Sequence, residues 1–150
     1  MRLIISALCL AGIATIALAD ERMGIVNDDL TKKECGACHM AFPAGFLPKR
    51  SWEALMGNLK DHFGEDASLS AESTAAIRDY LLANAADASG KARGFARGLA
   101  ADQTPLRISE LPRFKREHGT FSEATMKKVG SMSNCAGCHR GAEQGYFDDD

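Results

Sequence analysis

Two stretches, Cys35-Gly36-Ala37-Cys38-His39 and Cys135-Ala136-Gly137-Cys138-His139, decide how the rest of this 150-residue chain is read. Each places two thiols three residues apart and an imidazole directly after the second. On a helical turn, residues three and four apart share one face, so both sulfurs and the imidazole point the same way. The thiols can then reach the two vinyl groups of a porphyrin while the imidazole comes under the ring to meet the iron, which is the chemistry of covalent haem attachment. Thioether bonds fix the group permanently and hold the proximal histidine close to the metal. Two copies of the motif imply two covalently bound haem c groups, held by Cys35, Cys38, Cys135 and Cys138, with His39 and His139 as the first iron ligands.

Other uses of these residues fit less well. A thioredoxin-like redox pair sits in a βαβ setting, and no strand-like alternation occurs anywhere in this chain. A zinc site built from both pairs would have four thiolates and no use for two identically placed histidines. Chance is a poor explanation for a pattern that occurs twice in a chain with only 4 histidines. The fifth cysteine, Cys9, falls in a different kind of segment.

That segment opens with Met1-Arg2, continues as an almost unbroken apolar run from Leu3 to Ile16, and ends in the small residues Ala17-Leu18-Ala19. It reads as a signal peptide, residues 1–19, cleaved before Asp20. The alternative, a retained anchor, meets the difficulty that the run is shorter than the roughly 20 residues a bilayer crossing needs. Export places the chain in the periplasm, with no stable membrane insertion. Cleavage removes Arg2 and no acid, leaving 17 basic against 20 acidic residues. A mildly acidic chain of mixed charge lacks the clustered basic surface that nucleic acid requires. The short basic run Arg113-Phe114-Lys115-Arg116 reads as a solvated helix face.

Gly, Pro and Ser punctuate what is otherwise a series of short helical patterns, so the fold class is all-α. Asn27-Asp28-Asp29 is suited to capping a helix that runs into the first motif. Trp52, Leu55, Met56, Leu59 and Phe63 recur at helical spacing between Pro48 and Gly64. Ser70 opens a third helix with Ile77, Tyr80 and Leu81 on its apolar face, fading at Asn84. From Ala85 to Thr104 the composition turns to Ala, Gly, Ser and charge, with Phe95 and Leu99 as its large apolar residues. After Pro105, Ser109 is placed to cap a helix ending at His118-Gly119, and Thr120 with Glu123 forms a capping-box pattern for the next. The acidic Asp148-Asp149-Asp150 end is expected to be solvated. The boundaries expected are an N-terminal haem domain at 20–86, a linker at 87–104 and a C-terminal haem domain at 105–150.

Haem iron with one histidine either takes a sixth ligand, for simple electron transfer, or keeps an open position for chemistry. His62 and His118 remain once the motif histidines are assigned, one in each half. They are not a tandem repeat: His62 lies 23 residues after His39, and His118 lies 21 before His139. On helical geometry His62 projects beside Leu55 and Leu59, and His118 lies in line with Leu111 and Phe114. Bis-histidine iron within each half is therefore expected, as His39 with His62 and His118 with His139. Methionine is the competing ligand, from Met40, Met56, Met126 or Met132, although Met56 and Met126 read as core residues. The choice matters because an axial Met raises the reduction potential relative to a second imidazole.

Taken together, the motifs, Ser51-Trp52-Glu53 leading to Asp61-His62-Phe63-Gly64-Glu65, Arg116-Glu117-His118, Ser133-Asn134 and the tail Ala142-Glu143-Gln144-Gly145-Tyr146-Phe147 resemble the small periplasmic dihaem cytochrome c family. The resemblance implies two small cytochrome c-like helical domains joined by a Gly/Ala-rich linker, bis-histidine ligation at both irons, and haems close enough for rapid electron exchange. It also implies a small oxygen-binding monohaem cytochrome c as electron acceptor, with a membrane or periplasmic donor. The expected function is a low-potential electron carrier with no catalytic residues. A dihaem peroxidase or small-molecule reductase would need one five-coordinate iron, and a haem sensor would need an output domain that the chain has no room for.

Overall fold

A computed structural model describes residues 24–147; the expected signal peptide and the Asp148-Asp149-Asp150 end lie outside the described residues. Regular structure among these residues is helical, five α-helices linked by 3₁₀ turns, with a single isolated bridge between His62 and Glu65 and no strand. The all-α expectation is borne out.

Local chemistry starts the first and third helices as expected. Asp28 caps α1 (Asp29–Cys35), its carboxylate accepting from the Thr31 amide at 2.7 Å and the Thr31 hydroxyl at 2.6 Å. These bonds hold the Asp28 carboxyl below its ordinary pKa. Ser70 caps α3 (Ala71–Ala83) through the Ser73 amide at 3.0 Å.

Three boundaries differ from expectation, each for a local reason. Helix α2 (Lys49–Met56) stops at Gly57 instead of continuing to Gly64, and a 3₁₀ turn, Leu59–Asp61, follows. Glycine weakens a helix by about 1 kcal/mol against alanine, and the next residue, Asn58, turns its amide onto the Asp61 carbonyl at 3.4 Å. His62 therefore stands on a turn beyond the helix. Helix α4 (Pro112–His118) begins at its proline, so Ser109 is not its cap. A residue before proline is pushed into extended backbone, and Leu111 sits at φ −64, ψ 139. Helix α5 (Glu123–Val129) is capped by Ser122, which accepts from the Thr125 amide at 3.1 Å, and not by Thr120. Gly119 after α4 takes φ 60, ψ −140, a region closed to side chains.

Helix α2 packs on α3, and α3 on α1. One apolar cluster gathers Phe46, Leu47, Trp52, Met56, Ile77 and Leu81 from the first half with Phe95, Leu111 and Phe114 from beyond it. Trp52 satisfies its indole N–H on the Ala44 carbonyl at 2.7 Å. The segment 87–104 contributes buried Phe95 and Ala96 to the molecule's interior. Polar bonds tie this segment down as well: Asp87 accepts from the Lys49 amide at 2.8 Å, while Arg50 donates to the carbonyls of Gln103 (2.6 Å) and Ala100 (2.9 Å).

Candidate haem sites

Helix α1 delivers Cys35 at its last residue, and the chain turns through Gly36 to expose Cys38 before reaching half-buried His39. A Cβ at Gly36 would run into the Lys32 carbonyl, which accepts the Gly36 amide. The His39 ring stacks on Phe42 with centroids 4.8 Å apart, and its Nδ1 donates to the Met40 carbonyl at 2.8 Å. That bond fixes the proton on Nδ1 and leaves Nε2 as the free lone pair, the form that binds metal.

Opposite lies His62, its ring centroid 6.3 Å from that of His39 with the planes 25° apart. A two-residue turn presents it: the His62 amide donates to the Glu65 carbonyl at 2.8 Å and the Glu65 amide returns to His62 at 3.3 Å. Burial, then the neighbouring His39 and Arg107, lowers the pKa of His62, which favours its neutral form. Its Nδ1 is buried with no hydrogen-bond partner among the described residues.

The second pair is built differently. His118 closes α4, donates from Nδ1 to the Phe114 carbonyl at 3.2 Å and stacks on the Phe114 ring at 4.1 Å, nearly parallel at 8°. Its centroid is 5.8 Å from that of His139, with the planes at 80°. The His139 amide is held by the Cys135 carbonyl at 2.8 Å, across one turn of the motif. Asn134, just before it, anchors the loop to the end of α5 through the Val129 carbonyl at 2.8 Å.

An aromatic belt encloses this second pair. Ring contacts pass from His118 through Phe114 to Phe95 (6.4 Å), Phe46 (5.4 Å) and Phe147 (5.2 Å), and return to His139 (5.8 Å). Phe46 comes from the first half and Phe95 from the connecting segment, so the wall of the second site draws on the whole chain. The two motif loops also share a cavity of about 340 Å³, lined on one side by Cys38, His39 and Met40 and on the other by Asn134, Cys135 and Ala136. A second cavity, also about 340 Å³, lies beside His62, with Leu55, Phe63, Leu106 and Arg107 in its wall.

These residues fit haem iron. Two metal–imidazole bonds of about 2 Å each, with the ring halves added, span about 6 Å, close to both centroid separations. None of the four motif cysteines is paired in a disulfide. Burial is the largest influence on Cys35 and Cys135 and raises both, whereas a redox C-x-x-C pair relies on a lowered thiol pKa. Among the described residues no three His, Cys, Asp or Glu side chains cluster as a metal-binding group, so the four-thiolate zinc arrangement has no geometric support. Of the rival methionines, Met56 is buried in the core and Met132 is exposed.

The four histidines singled out thus come together as two facing pairs, with Cys35 and Cys38 close to His39 and Cys135 and Cys138 close to His139 along the chain. The sequence places Phe63 only in an apolar stripe and Phe147 only in the tail, and it gives no role to Phe46 or to Arg107, whose guanidinium lies 3.7 Å from the Phe63 ring centroid. For Phe46 the one signal available is a large aromatic residue directly after the small residues Ala44-Gly45, and nothing in the sequence joins Arg107 to Phe63.

A helical chain with two C-x-x-C-H loops, each facing one further histidine, has the form of a dihaem c-type cytochrome. The chain belongs to the dihaem cytochrome c family, whose model matches residues 31–147, and it carries two covalently bound haem c groups. It is similar to a dihaem cytochrome c from Rhodobacter sphaeroides, at 59% identity over 82% of this chain and 98% of that one, with a TM-score of 0.77. A second structure of dihaem cytochrome c purified from that organism gives 56% identity, 82% and 99% coverage, and a TM-score of 0.70. A dihaem cytochrome c from Shewanella baltica is similar at 38% identity, with 83% and 89% coverage and a TM-score of 0.66. No curated protein matches the chain. Bacterial cytochromes c of this kind are typically periplasmic or extracellular. No helix among the described residues is long and apolar enough to cross a membrane.

Proposed function

We propose that this protein is a periplasmic, low-potential electron carrier. In this reading Cys35 and Cys38 hold one haem, with iron between His39 and His62; Cys135 and Cys138 hold the other, with iron between His118 and His139. When bound, each haem supplies a one-electron ferric/ferrous couple. The chain's part is to hold both faces of each iron with imidazole, exclude water from the rings and offer a docking surface.

The observation that carries this reading is the facing of each motif histidine by one other imidazole at metal-spanning distance. Two imidazoles per iron favour a lower potential than imidazole with methionine. All four histidines are consumed in this way, which leaves no imidazole for general acid or base work. We assign as acceptor a small oxygen-binding monohaem cytochrome c, and as donor a membrane or periplasmic redox protein. Such partners dock through small, transient surfaces.

Carbon monoxide tests the reading, because it binds ferrous haem only where an iron position is open. Added to the reduced protein, it is expected to leave both haem spectra unchanged. A stoichiometric shift of either would overturn the carrier reading and point to a five-coordinate iron suited to a peroxidase or small-molecule reductase.

A further inference from the structure

The turn that presents His62 is made from an unexpected residue. Its two central positions are Phe63 at φ 59 and Gly64 at φ 100. Turns with positive φ at both positions favour Asn-Gly or Asp-Gly, and a bulky side chain there is disfavoured. Phe63 is the one non-glycine residue with positive φ among the described residues. It is also 43% exposed, so neither backbone preference nor burial explains a phenylalanine at this position.

Two contacts do. The Phe63 ring meets the His62 imidazole edge-to-face, centroids 4.8 Å apart. Its face receives the Arg107 guanidinium at 3.7 Å from the centroid, a cation–π geometry. Arg107 belongs to the second half of the chain, and Glu110 sets its position: the Glu110 carboxylate accepts from the Leu106 amide at 3.0 Å and the Arg107 amide at 3.3 Å. An acidic side chain is thus spent on holding the backbone that aims this cation.

We propose that Phe63 and Arg107 clamp the distal ligand of the first haem: Phe63 fixes the plane of the His62 imidazole, and Arg107 seats Phe63 while placing positive charge beside that iron. The inference rests on His62 being an axial ligand, and both residues act through it as positioning residues. Reduction adds one negative charge at the iron, so a nearby cation favours the ferrous form and raises that haem's potential. His118 and His139 pack on other rings, so the effect falls on one haem and separates the two potentials. Arg107 is exposed to solvent, which screens its charge and keeps the effect modest.

The test compares holoprotein variants by redox titration and by electron paramagnetic resonance, assigning the first haem through the hyperfine-shifted ring signals of His39. Arg107→Gln is expected to lower the ferrous-to-ferric ratio of the first haem at a fixed potential several-fold, short of the roughly tenfold that corresponds to about 59 mV for one electron. The second haem stays where it was, and Arg107→Lys recovers most of the shift. Phe63→Asn suits the turn better and is expected to keep or raise the thermal midpoint. It nevertheless alters the low-spin anisotropy of the first haem, which reports the angle between the two imidazole planes. Unchanged potential and anisotropy in Arg107→Gln and Phe63→Asn, or an equal shift of both haems in Arg107→Gln, would overturn the clamp. A wild-type first haem without a bis-imidazole signal would instead defeat the assignment of His62 as ligand.

Discussion

A backbone carbonyl selects the tautomer at His39 and at His118, and in each case the bond is local: Met40 is the next residue and Phe114 is one helical turn back. Such second contacts orient metal ligands and raise their basicity. His62 has no such partner among the described residues; its orientation comes from its turn and its ring neighbours. Replacing His62 by alanine is expected to change the hyperfine-shifted ring signals of His39 and leave those of His139 in place. The reverse pattern would mean that the distal ligands cross between halves. Asp28 contributes to acid stability. The hydrogen bonds of Asp28 lower its pKa in the folded protein, so its stabilisation is complete above the ordinary carboxylate value of about 4 and is lost as pH falls through the lower folded value. Asp28→Asn keeps a good cap and is expected to flatten this part of the acid limb when thermal midpoint is followed against pH. At this scale the sequence was highly legible for the cysteines and histidines, because covalent chemistry and counting single them out. Phe63 and Arg107 were not legible, since only the fold brings the two residues together.

Among the elements, α1 and α3 follow directly from their caps, and α2 and α4 show how one residue redirects a helix. Periodicity from Trp52 to Phe63 suggested a helix that Gly57 and Asn58 interrupt, because an apolar stripe registers burial and not backbone continuity. Pro112 likewise overrides Ser109 by forcing Leu111 into extended backbone. The early stop of α2 matters for the site: it frees residues 57–65 to form the tight turn on which His62 is mounted. Helix α3 supplies no residue to the two histidine pairs, and its contribution is packing. Ile77 is fully buried there, at 0% exposure. Ile77→Ala is therefore expected to destabilise the fold by about 2–5 kcal/mol while leaving both haem spectra unchanged at room temperature, as measured by denaturant unfolding beside the visible spectrum. A changed haem spectrum in the folded variant would mean that α3 shapes a site more directly than its contacts indicate.

Across the whole molecule, the halves and the segment between them share an interior. Segment 87–104 reads as a connection because its composition is small and polar, yet Phe95 is buried and the ends of the segment are strapped to Lys49 and Arg50. Phe95 and Leu99 carry little weight in the composition of a small-residue stretch, although Phe95 closes the aromatic belt around the second pair. The two motif loops meet across one cavity, an arrangement suited to electron exchange within the molecule. The central claim is that each iron is closed on both faces by histidine. Electron paramagnetic resonance of the fully oxidised protein tests it most directly: two low-spin bis-imidazole ferric signals of equal weight are predicted, and a high-spin ferric signal, or a low-spin signal of histidine–methionine type, would contradict it.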